Sequence, residues 1–220
     1  MIKVGDLSFL EVSYLALKKV NKYEDVYVTV LRRHVEDFNI DEFITKVIPE
    51  AKILIMEVLT NGPAESAYNA IARAGLKGEI TIADCDQAFG VKPNGSQHRI
   101  GSDVLLYTFA SENSAHSFLK IVDGKIQKIE EKSKISNTAI AGSYVFYDAR
   151  IFMSYYEQMA LEQQEERFIS QLVNKMLLDG KMVTSEETTW HRSFGTPEEL
   201  EAIQADDLIQ KLMMDWNTPG

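Results

Sequence analysis

The stretch 52-KILIMEVLTNGPAESAYNAIARAGLKGEITIADCDQ-87 decides the fold. Its β-branched and aliphatic runs predict strands over residues 52–57 and 79–83. Between them, Pro63 suits the first turn of a helix, apolar residues follow at helical spacing, and Gly75 ends the pattern. Strand, helix and strand in this order form a βαβ unit, which predicts an α/β fold with a mixed, mainly parallel central sheet flanked by helices.

The pattern continues on both sides of this unit. Upstream, residues 25–31 read as a buried strand. Downstream, residues 104–110, 118–122 and 126–130 read as strands joined by tight turns, including Asp123-Gly124, and therefore as antiparallel. A strand over 143–147 and helices over 149–160 and 166–178 follow, whereas the residues at 89–102 favour a mobile loop because Gly, Pro, Asn and Ser cluster there.

The domain is predicted to span residues 1–205, with a helical tail over 206–220. The tail carries Leu208, Ile209, Leu212 and Met213 at helical spacing, which is typical of a stripe that docks on its own domain or on a partner. We therefore expect self-association.

Composition excludes several classes of protein. The chain has 220 residues with 23 Lys+Arg and 33 Asp+Glu, so its net charge is −10. Such a surface repels phosphate backbones, and no basic run compensates, so nucleic-acid polymers are not expected partners. The sequence contains neither a signal-peptide core nor an apolar run of membrane-spanning length, which favours the cytoplasm. The single cysteine, Cys85, excludes an internal disulfide and a multi-cysteine zinc site.

Asp84 and Asp86 come directly after the strand of residues 79–83. Ligands of open α/β sheets bind at the carboxyl ends of strands, and Mg²⁺ takes oxygen ligands, often only one or two carboxylates together with substrate phosphates. Side chains alternate along an extended chain, so Asp86 is the better candidate ligand and Asp84 is expected to brace the turn. The alternative interpretation is a strand end capped by two solvated acids.

The loop Thr60-Asn61-Gly62-Pro63-Ala64 joins a predicted strand to the N-terminus of a predicted helix. Its backbone N–H groups and the positive end of the helix dipole converge there, which suits an anionic or carbonyl-bearing ligand. The alternative is a tight structural connection without a ligand.

Glu131 and Lys132 come directly after the strand of residues 126–130. Lysine neutralises phosphate, and a carboxylate accepts hydrogen bonds from the hydroxyls of a polyol. The alternative is a solvated surface pair. The four histidines, His34, His98, His116 and His191, share no metal-ligand spacing, so the sequence assigns them no catalytic role.

Taken in order, these motifs resemble the sugar-phosphate nucleotidyltransferases. The resemblance rests on Thr-x-Gly-Pro-Ala from residue 60, Asp-Cys-Asp-Gln from residue 84, Glu131-Lys132 with Ser-Asn-x-Ala-x-x-Gly-x-Tyr-x-Phe after it, and Gly-Thr-Pro-Glu-Glu-Leu from residue 195. It covers about residues 1–204 and is closest to the branch found with capsule and lipopolysaccharide genes. The fold it implies is a Rossmannoid, GT-A-like domain.

The implied activity joins a nucleoside triphosphate to a sugar phosphate or similar phosphorylated metabolite and releases pyrophosphate with the help of Mg²⁺. By the same resemblance, the loop of residues 60–64 meets the nucleotide base and Asp86 binds the metal. Such a reaction requires positioning and charge neutralisation more than covalent catalysis.

The resemblance also implies a sugar-phosphate site. Glu131 would hold the sugar, Lys132 its phosphate, and the Gly142 backbone and Glu166 would line the same pocket. Lys132 and Asp86 would then be the catalytic residues.

Two departures from the family pattern concern the triphosphate and the metal. Family members open with a strand and a Gly-rich loop carrying an Arg and a Pro-Lys pair, which this sequence does not show. Ser193 stands where relatives usually have a second metal-binding Asp. We therefore expect weak catalysis from this chain. The alternatives are a sugar-phosphate-binding pseudoenzyme or, because of the Asp-x-Asp, a GT-A-fold glycosyltransferase.

Overall fold

A computed structural model describes residues 2–4, 7–92, 101–162 and 166–204. In chain order its first elements are β1 (Lys3–Val4), β2 (Leu7–Ser8), α1 (Phe9–Val20), β3 (Val26–Leu31), α2 (Arg32–Phe38), α3 (Ile40–Val47), β4 (Ala51–Met56), α4 (Pro63–Ala74), β5 (Ile80–Ala83) and β6 (Gln87–Gly90). The chain continues with β7 (Val104–Ala110), β8 (Phe118–Val122), β9 (Lys125–Glu130), β10 (Thr138–Phe146), α5 (Ala149–Ala160), α6 (Ile169–Leu178), β11 (Val183–Glu187), β12 (Trp190–Ser193) and α7 (Pro197–Gln204).

The main sheet has six strands and is built around β10. This strand pairs antiparallel with β7 along one edge, and with β8 and β5 along the other. β9 extends the sheet beyond β8, and β11 adds a parallel strand beside β7. The register of β10 against β7 shifts between Ile140 and Tyr144, and Gly142 within this bulge has φ +61°. The bulge lies beside the carboxyl end of β5, so it helps to shape the site described below.

The core fills both faces of this sheet. On one face, α4, α5 and α6 bury a cluster that includes Leu106, Ile140, Phe146 and Phe152. On the opposite face, Phe89, Leu105, Tyr107, Ala141 and Val145 pack with partly buried residues of α1. Helices thus cover both faces of the sheet, which is the layering of an α/β domain.

β3 and β4 form a separate parallel pair, and among the described residues no ladder joins them to the six-stranded sheet. In β3 only Val30 is buried, with 8% of its surface exposed. The prediction that residues 25–31 form a buried strand is therefore right about the strand and wrong about its burial. An apolar strand is buried only where neighbouring elements cover it, and β3 lacks a strand on its second edge in the described residues.

The predicted α/β class and mixed sheet are confirmed, as are α4, α5 and the β8–β9 hairpin with its Asp123-Gly124 turn. Antiparallel ladders are more numerous than the prediction of a mainly parallel sheet implies, because β10 pairs antiparallel with each of its three neighbours. The strand predicted over 143–147 begins earlier, at Thr138, and the helix predicted over 166–178 begins only at Ile169.

The mobile loop predicted over 89–102 begins within β6, and residues 93–100 lie outside the described residues, as does the tail of residues 206–220. Across the described ranges, no helix is both long and apolar enough to cross a membrane.

Candidate active site

Asp84 follows β5 and lies against the bulge of β10. Its backbone N–H donates to the Gly142 carbonyl at 2.9 Å, and its carboxylate accepts a hydrogen bond of 3.1 Å from Gln87 Nε2. A Cβ atom at Gly142 would lie 2.4 Å from Gln87 Nε2 and 2.6 Å from Asp84 Oδ2. Glycine at 142 therefore allows the carboxylate and the amide to approach the β10 backbone.

Asp86 is brought beside the segment that follows β12. The antiparallel ladder between β12 and β6 returns the chain to this point, where the Phe194 N–H donates to the Asp86 carbonyl at 3.0 Å. A Cβ atom at Gly195 would lie 2.6 Å from Asp86 Oδ2. Ser193 donates from Oγ to Glu199 Oε2 at 2.9 Å. A carboxylate from α7 thus lies next to Ser193.

Carboxylates repel one another in the region around Asp84 and Asp86. Desolvation, followed by repulsion from Asp86 and Glu131, raises the pKa of Asp84 to about 7. Asp84 as a residue is exposed, so the desolvation falls on its carboxylate, which lies against Gln87 and the Gly142 backbone. Desolvation also raises the pKa of Asp86, with a further contribution from Glu199. A cation would relieve these interactions, because it would stabilise the charged form of each acid.

Glu131 is held in place by two serine hydroxyls. Its Oε2 accepts hydrogen bonds from Ser117 Oγ and, at 2.5 Å, from Ser170 Oγ. Both hydroxyls bind the same carboxylate oxygen. The second carboxylate oxygen, Oε1, is a further hydrogen-bond acceptor.

Lys132 has a backbone conformation that L-residues rarely adopt, with φ +50°. Its ammonium lies 4.3 Å from the centroid of the Phe168 ring and 3.8 Å from Glu166 Oε2. The Lys132 side chain is 55% exposed, so this pair is exchangeable and the ammonium can reach an incoming anion. Residues in such rarely populated backbone conformations cluster at binding sites.

The loop of residues 60–64 pairs with the backbone of Arg167. The Arg167 N–H donates to the Asn61 carbonyl at 2.7 Å, and the Ala64 N–H donates to the Arg167 carbonyl at 3.0 Å. Gly62 has φ +110°, and a Cβ atom there would lie 2.6 Å from the Arg167 carbonyl oxygen. Only glycine suits this position, for both conformation and space.

Within this loop, two of the N–H groups expected to converge on a ligand are engaged by the protein. The Ala64 N–H binds Arg167, and the Asn61 N–H donates to the Glu65 carboxylate at 2.6 Å. Thr60 Oγ1 lies 2.6 Å from Ser66 Oγ. Pro63, at the first position of α4, has no N–H to offer.

Two histidines that the sequence left without a role lie beside the acidic residues. His191 Nε2 forms a 2.8 Å hydrogen bond with Gln87 Oε1, and its ring stacks on Phe109 at a centroid distance of 3.5 Å. Burial, with a smaller effect of His116, lowers the pKa of His191 to about 3. Burial also lowers the pKa of His116, against the attraction of Glu199 and Asp86. The residues of this group come from distant segments, so no spacing in the sequence reveals them.

The oxygen donors near Asp86 suit a Mg²⁺ ion that is bound partly by the protein and partly by a phosphate-bearing substrate. Among the described residues, no group of three or more His, Cys, Asp or Glu side chains is arranged to hold a metal ion. Asp86, held close to the Gly195 backbone, offers hard carboxylate oxygens. Magnesium commonly binds one or two carboxylates and completes its shell with phosphate and water. The residues therefore fit a metal that arrives with a phosphate-bearing substrate.

At the level of sequence, neither a protein-family model nor a curated protein matches the chain. Solved structures do match. The nucleoside-diphosphate-sugar pyrophosphorylase from Vibrio cholerae RC9 has a TM-score of 0.77 at 21% identity, over 93% of this chain and 90% of that one. The inositol-1-phosphate CTP transferase from T. maritima has a TM-score of 0.77 at 12% identity, over 100% of this chain and 87% of that one.

A UDP-glucose pyrophosphorylase complexed with UDP-glucose is also similar, with a TM-score of 0.70 at 14% identity, over 96% of this chain and 90% of that one. All three similarities extend over nearly the whole of both chains. They agree with the resemblance that the motifs carry, and so the chain has the fold of the sugar-phosphate nucleotidyltransferases.

Proposed function

We propose that this protein transfers a nucleotidyl group from a nucleoside triphosphate to a sugar phosphate or similar phosphorylated metabolite. One observation supports the proposal: motifs from distant parts of the sequence contact one another in the fold. Asp84 contacts Gly142, Asp86 contacts the segment at Gly195, and Lys132 contacts the segment that pairs with the loop of residues 60–64. The fold in which they meet is shared with enzymes named for this chemistry.

In the proposed reaction, a phosphate oxygen of the sugar phosphate attacks the α-phosphorus of the triphosphate. The new P–O bond forms as the bond between the α-phosphorus and the bridging oxygen to the β-phosphate breaks, and pyrophosphate leaves with the electron pair. Lys132 would neutralise the attacking phosphate and Glu131 would orient the sugar hydroxyls. Such a transfer depends mainly on alignment and on the stabilisation of charge on the phosphoryl oxygens.

We propose Mg²⁺ as the cofactor, with Asp86 as its protein ligand. When bound, the metal would neutralise the triphosphate beside Asp84, Glu131 and Glu199. Without a cation, these carboxylates would repel a nucleotide. Asp84, held by Gln87 and by the Gly142 backbone, would keep Asp86 in position rather than bind the metal itself.

A pyrophosphate-release assay tests the proposal. Purified protein would be incubated with Mg²⁺ and each of CTP, UTP, dTTP, ATP and GTP against a panel of sugar phosphates and phosphorylated polyols. We expect turnover with one nucleotide and one class of acceptor, and its loss in Asp86→Asn. Binding of nucleotide and sugar phosphate without pyrophosphate release would instead identify a pseudoenzyme. Transfer from an intact nucleotide sugar to an acceptor would identify a glycosyltransferase.

The product would be a nucleotide-activated sugar or polyol, a donor for later glycosyl or group transfer. The motifs are most similar to the branch found with capsule and lipopolysaccharide genes. We therefore propose that the product is made in the cytoplasm, where nucleoside triphosphates are available, and is used in cell-surface polysaccharide synthesis. The preferred phosphorylated acceptor in the assay above tests this assignment, since a sugar restricted to surface polysaccharides would support it and a sugar of central metabolism would not.

A further inference from the structure

A three-residue segment, Glu166-Arg167-Phe168, contacts both Lys132 and the loop of residues 60–64. We call it the strap. At one end, the Glu166 carboxylate and the Phe168 ring contact the Lys132 ammonium at 3.8 Å and 4.3 Å. Between these two residues, the Arg167 backbone pairs with the loop of residues 60–64 through hydrogen bonds of 2.7 Å and 3.0 Å. Adjacent residues of one extended segment thus bind the proposed phosphate-binding lysine and the proposed nucleotide loop.

The strap is also anchored to the body of the domain. The Arg167 side chain is only 13% exposed; its Nη1 lies 3.8 Å from Glu65 Oε2, and its Nη2 donates to the Ala160 carbonyl at 3.4 Å. Glu65 in turn accepts from the Asn61 N–H. Arg167 therefore holds the loop through its side chain as well as through its backbone, and the strap has little room to move at one end independently of the other.

We propose that the strap is a positioning element that couples Lys132 to the loop of residues 60–64, so that a change at either one alters the other. The effect on substrates rests on the function proposed above. The mechanical coupling itself does not, because it follows from contacts within the protein. Phe168 positions the Lys132 ammonium, Arg167 positions the loop, and the peptide bond between them transmits displacement.

Amide hydrogen exchange tests the coupling without any ligand. The Ala64 N–H, which donates to Arg167, reports opening between loop and strap. Lys132→Met removes the ammonium from the Phe168 ring and leaves strap and loop unaltered in sequence. We expect exchange at Ala64 to become about two- to fivefold faster, the effect of losing one exposed cation–π contact. Lys134→Met, which removes a lysine that pairs with Glu112, is the matched control and should leave Ala64 unchanged.

Two further readouts separate coupling from general destabilisation. Exchange at Asn39, whose N–H donates to the Val35 carbonyl at the end of α2 and reports a local opening away from the strap, should be the same in Lys132→Met and wild type. Phe168→Leu should accelerate exchange at Ala64. Phe168→Tyr keeps the aromatic ring and should exchange at the wild-type rate. Unchanged exchange at Ala64 in Lys132→Met would overturn the coupling, as would equal acceleration at Ala64 and Asn39.

The effect of the loop on Lys132 is tested by measuring the affinity for inorganic phosphate with calorimetry. Binding that is present in wild type and lost in Lys132→Ala is taken as Lys132-dependent. Gly62→Ala places a methyl group against the Arg167 backbone and should weaken Lys132-dependent phosphate binding at least fivefold. Gly75→Ala, at another positive-φ glycine with open space around it, should stay within twofold of wild type. Equal phosphate affinities in Gly62→Ala and wild type would contradict the coupling. If wild type binds no phosphate through Lys132, the proposed function fails, and the exchange data still decide the coupling.

Discussion

The candidate active site has two halves that are held together in different ways. The acidic half brings together Asp84, Asp86, Glu131 and Glu199, whose mutual repulsion contributes to the raised pKa values of Asp84 and Asp86. The loop half, residues 60–64 and the strap, engages its backbone groups in internal hydrogen bonds. We therefore expect a cation to relieve the repulsion in the acidic half, whereas the loop half already has partners for its Asn61 and Ala64 N–H groups within the protein. Substitutions in the acidic half should affect function more than stability, and those in the loop half should do the opposite.

The largest effect is expected at Asp86. Asp86→Asn removes the proposed metal ligand and should lower the rate of pyrophosphate release about 10²- to 10³-fold, as the loss of one preorganised electrostatic group does elsewhere. The same change relieves repulsion in the acidic half, so the midpoint of urea unfolding should stay the same or rise. Cys85→Ser, at the neighbouring position, should retain activity. A large loss of stability in Asp86→Asn would break the distinction between the halves.

Lys132 links the halves, and its removal should have the next largest effect. A hydrogen bond to a charged group contributes about 1.5–3 kcal/mol, so Lys132→Ala should weaken binding of the phosphorylated acceptor roughly 10- to 100-fold. Calorimetry with the acceptor selected by the pyrophosphate assay measures this. Lys134→Ala serves as the control for removal of a nearby positive charge. Undiminished affinity in Lys132→Ala would place the acceptor elsewhere.

Gly62→Ala tests the loop half by its stability. A side chain at φ +110° costs about 1–3 kcal/mol, and its contact with the Arg167 backbone adds to this. Gly75→Ala, at φ +65° with open space, should cost only about 1–2 kcal/mol. Urea unfolding of both variants gives the comparison. If Gly62→Ala were no less stable than Gly75→Ala, the loop half would not depend on its contact with Arg167.

The last prediction concerns acid stability at the border of the acidic half, where an effect is expected only below neutral pH. Because the pKa of His191 is lowered from 6.5 to about 3, the unfolded chain binds a proton between these values and the folded protein does not. The His191 contribution to stability is therefore present above pH 6.5 and lost as the pH falls toward 3. His191→Gln should reduce this dependence of the urea midpoint on pH. His34→Gln, on α2, is the control, and identical pH profiles for His191→Gln and wild type would contradict the prediction.

Local signals in the sequence predicted the elements whose ends are set locally. Pro63 at the first turn and Gly75 in the left-handed conformation bound α4, and the Asp123-Gly124 turn sets the β8–β9 hairpin. The helix at α6 begins three residues later than predicted, at Ile169. The sequence of the strap does not itself exclude helix. Its pairing with the loop of residues 60–64 holds it extended, and that pairing joins segments about a hundred residues apart.

The candidate site was only partly visible in the sequence. The motifs proposed the acidic residues, the loop and Lys132 as candidates, because each has a recognisable residue type at the end of a predicted strand or helix. They assigned no role to His116, which precedes β8, to His191 on β12, or to Glu199 on α7. Nor did they indicate that the Asn61 and Ala64 N–H groups are engaged by Glu65 and Arg167.

The sequence by itself determined the order of strands and helices, the turn chemistry and the types of residue at each strand end, because these depend on neighbours within a few positions. Tertiary structure alone decided that β3 stays half-exposed, that the carboxylates lie near one another, and that the strap contacts both Lys132 and the loop of residues 60–64. Burial, repulsion between charges and backbone pairing depend on distance in space, and segments far apart in the chain come close only when the whole fold forms.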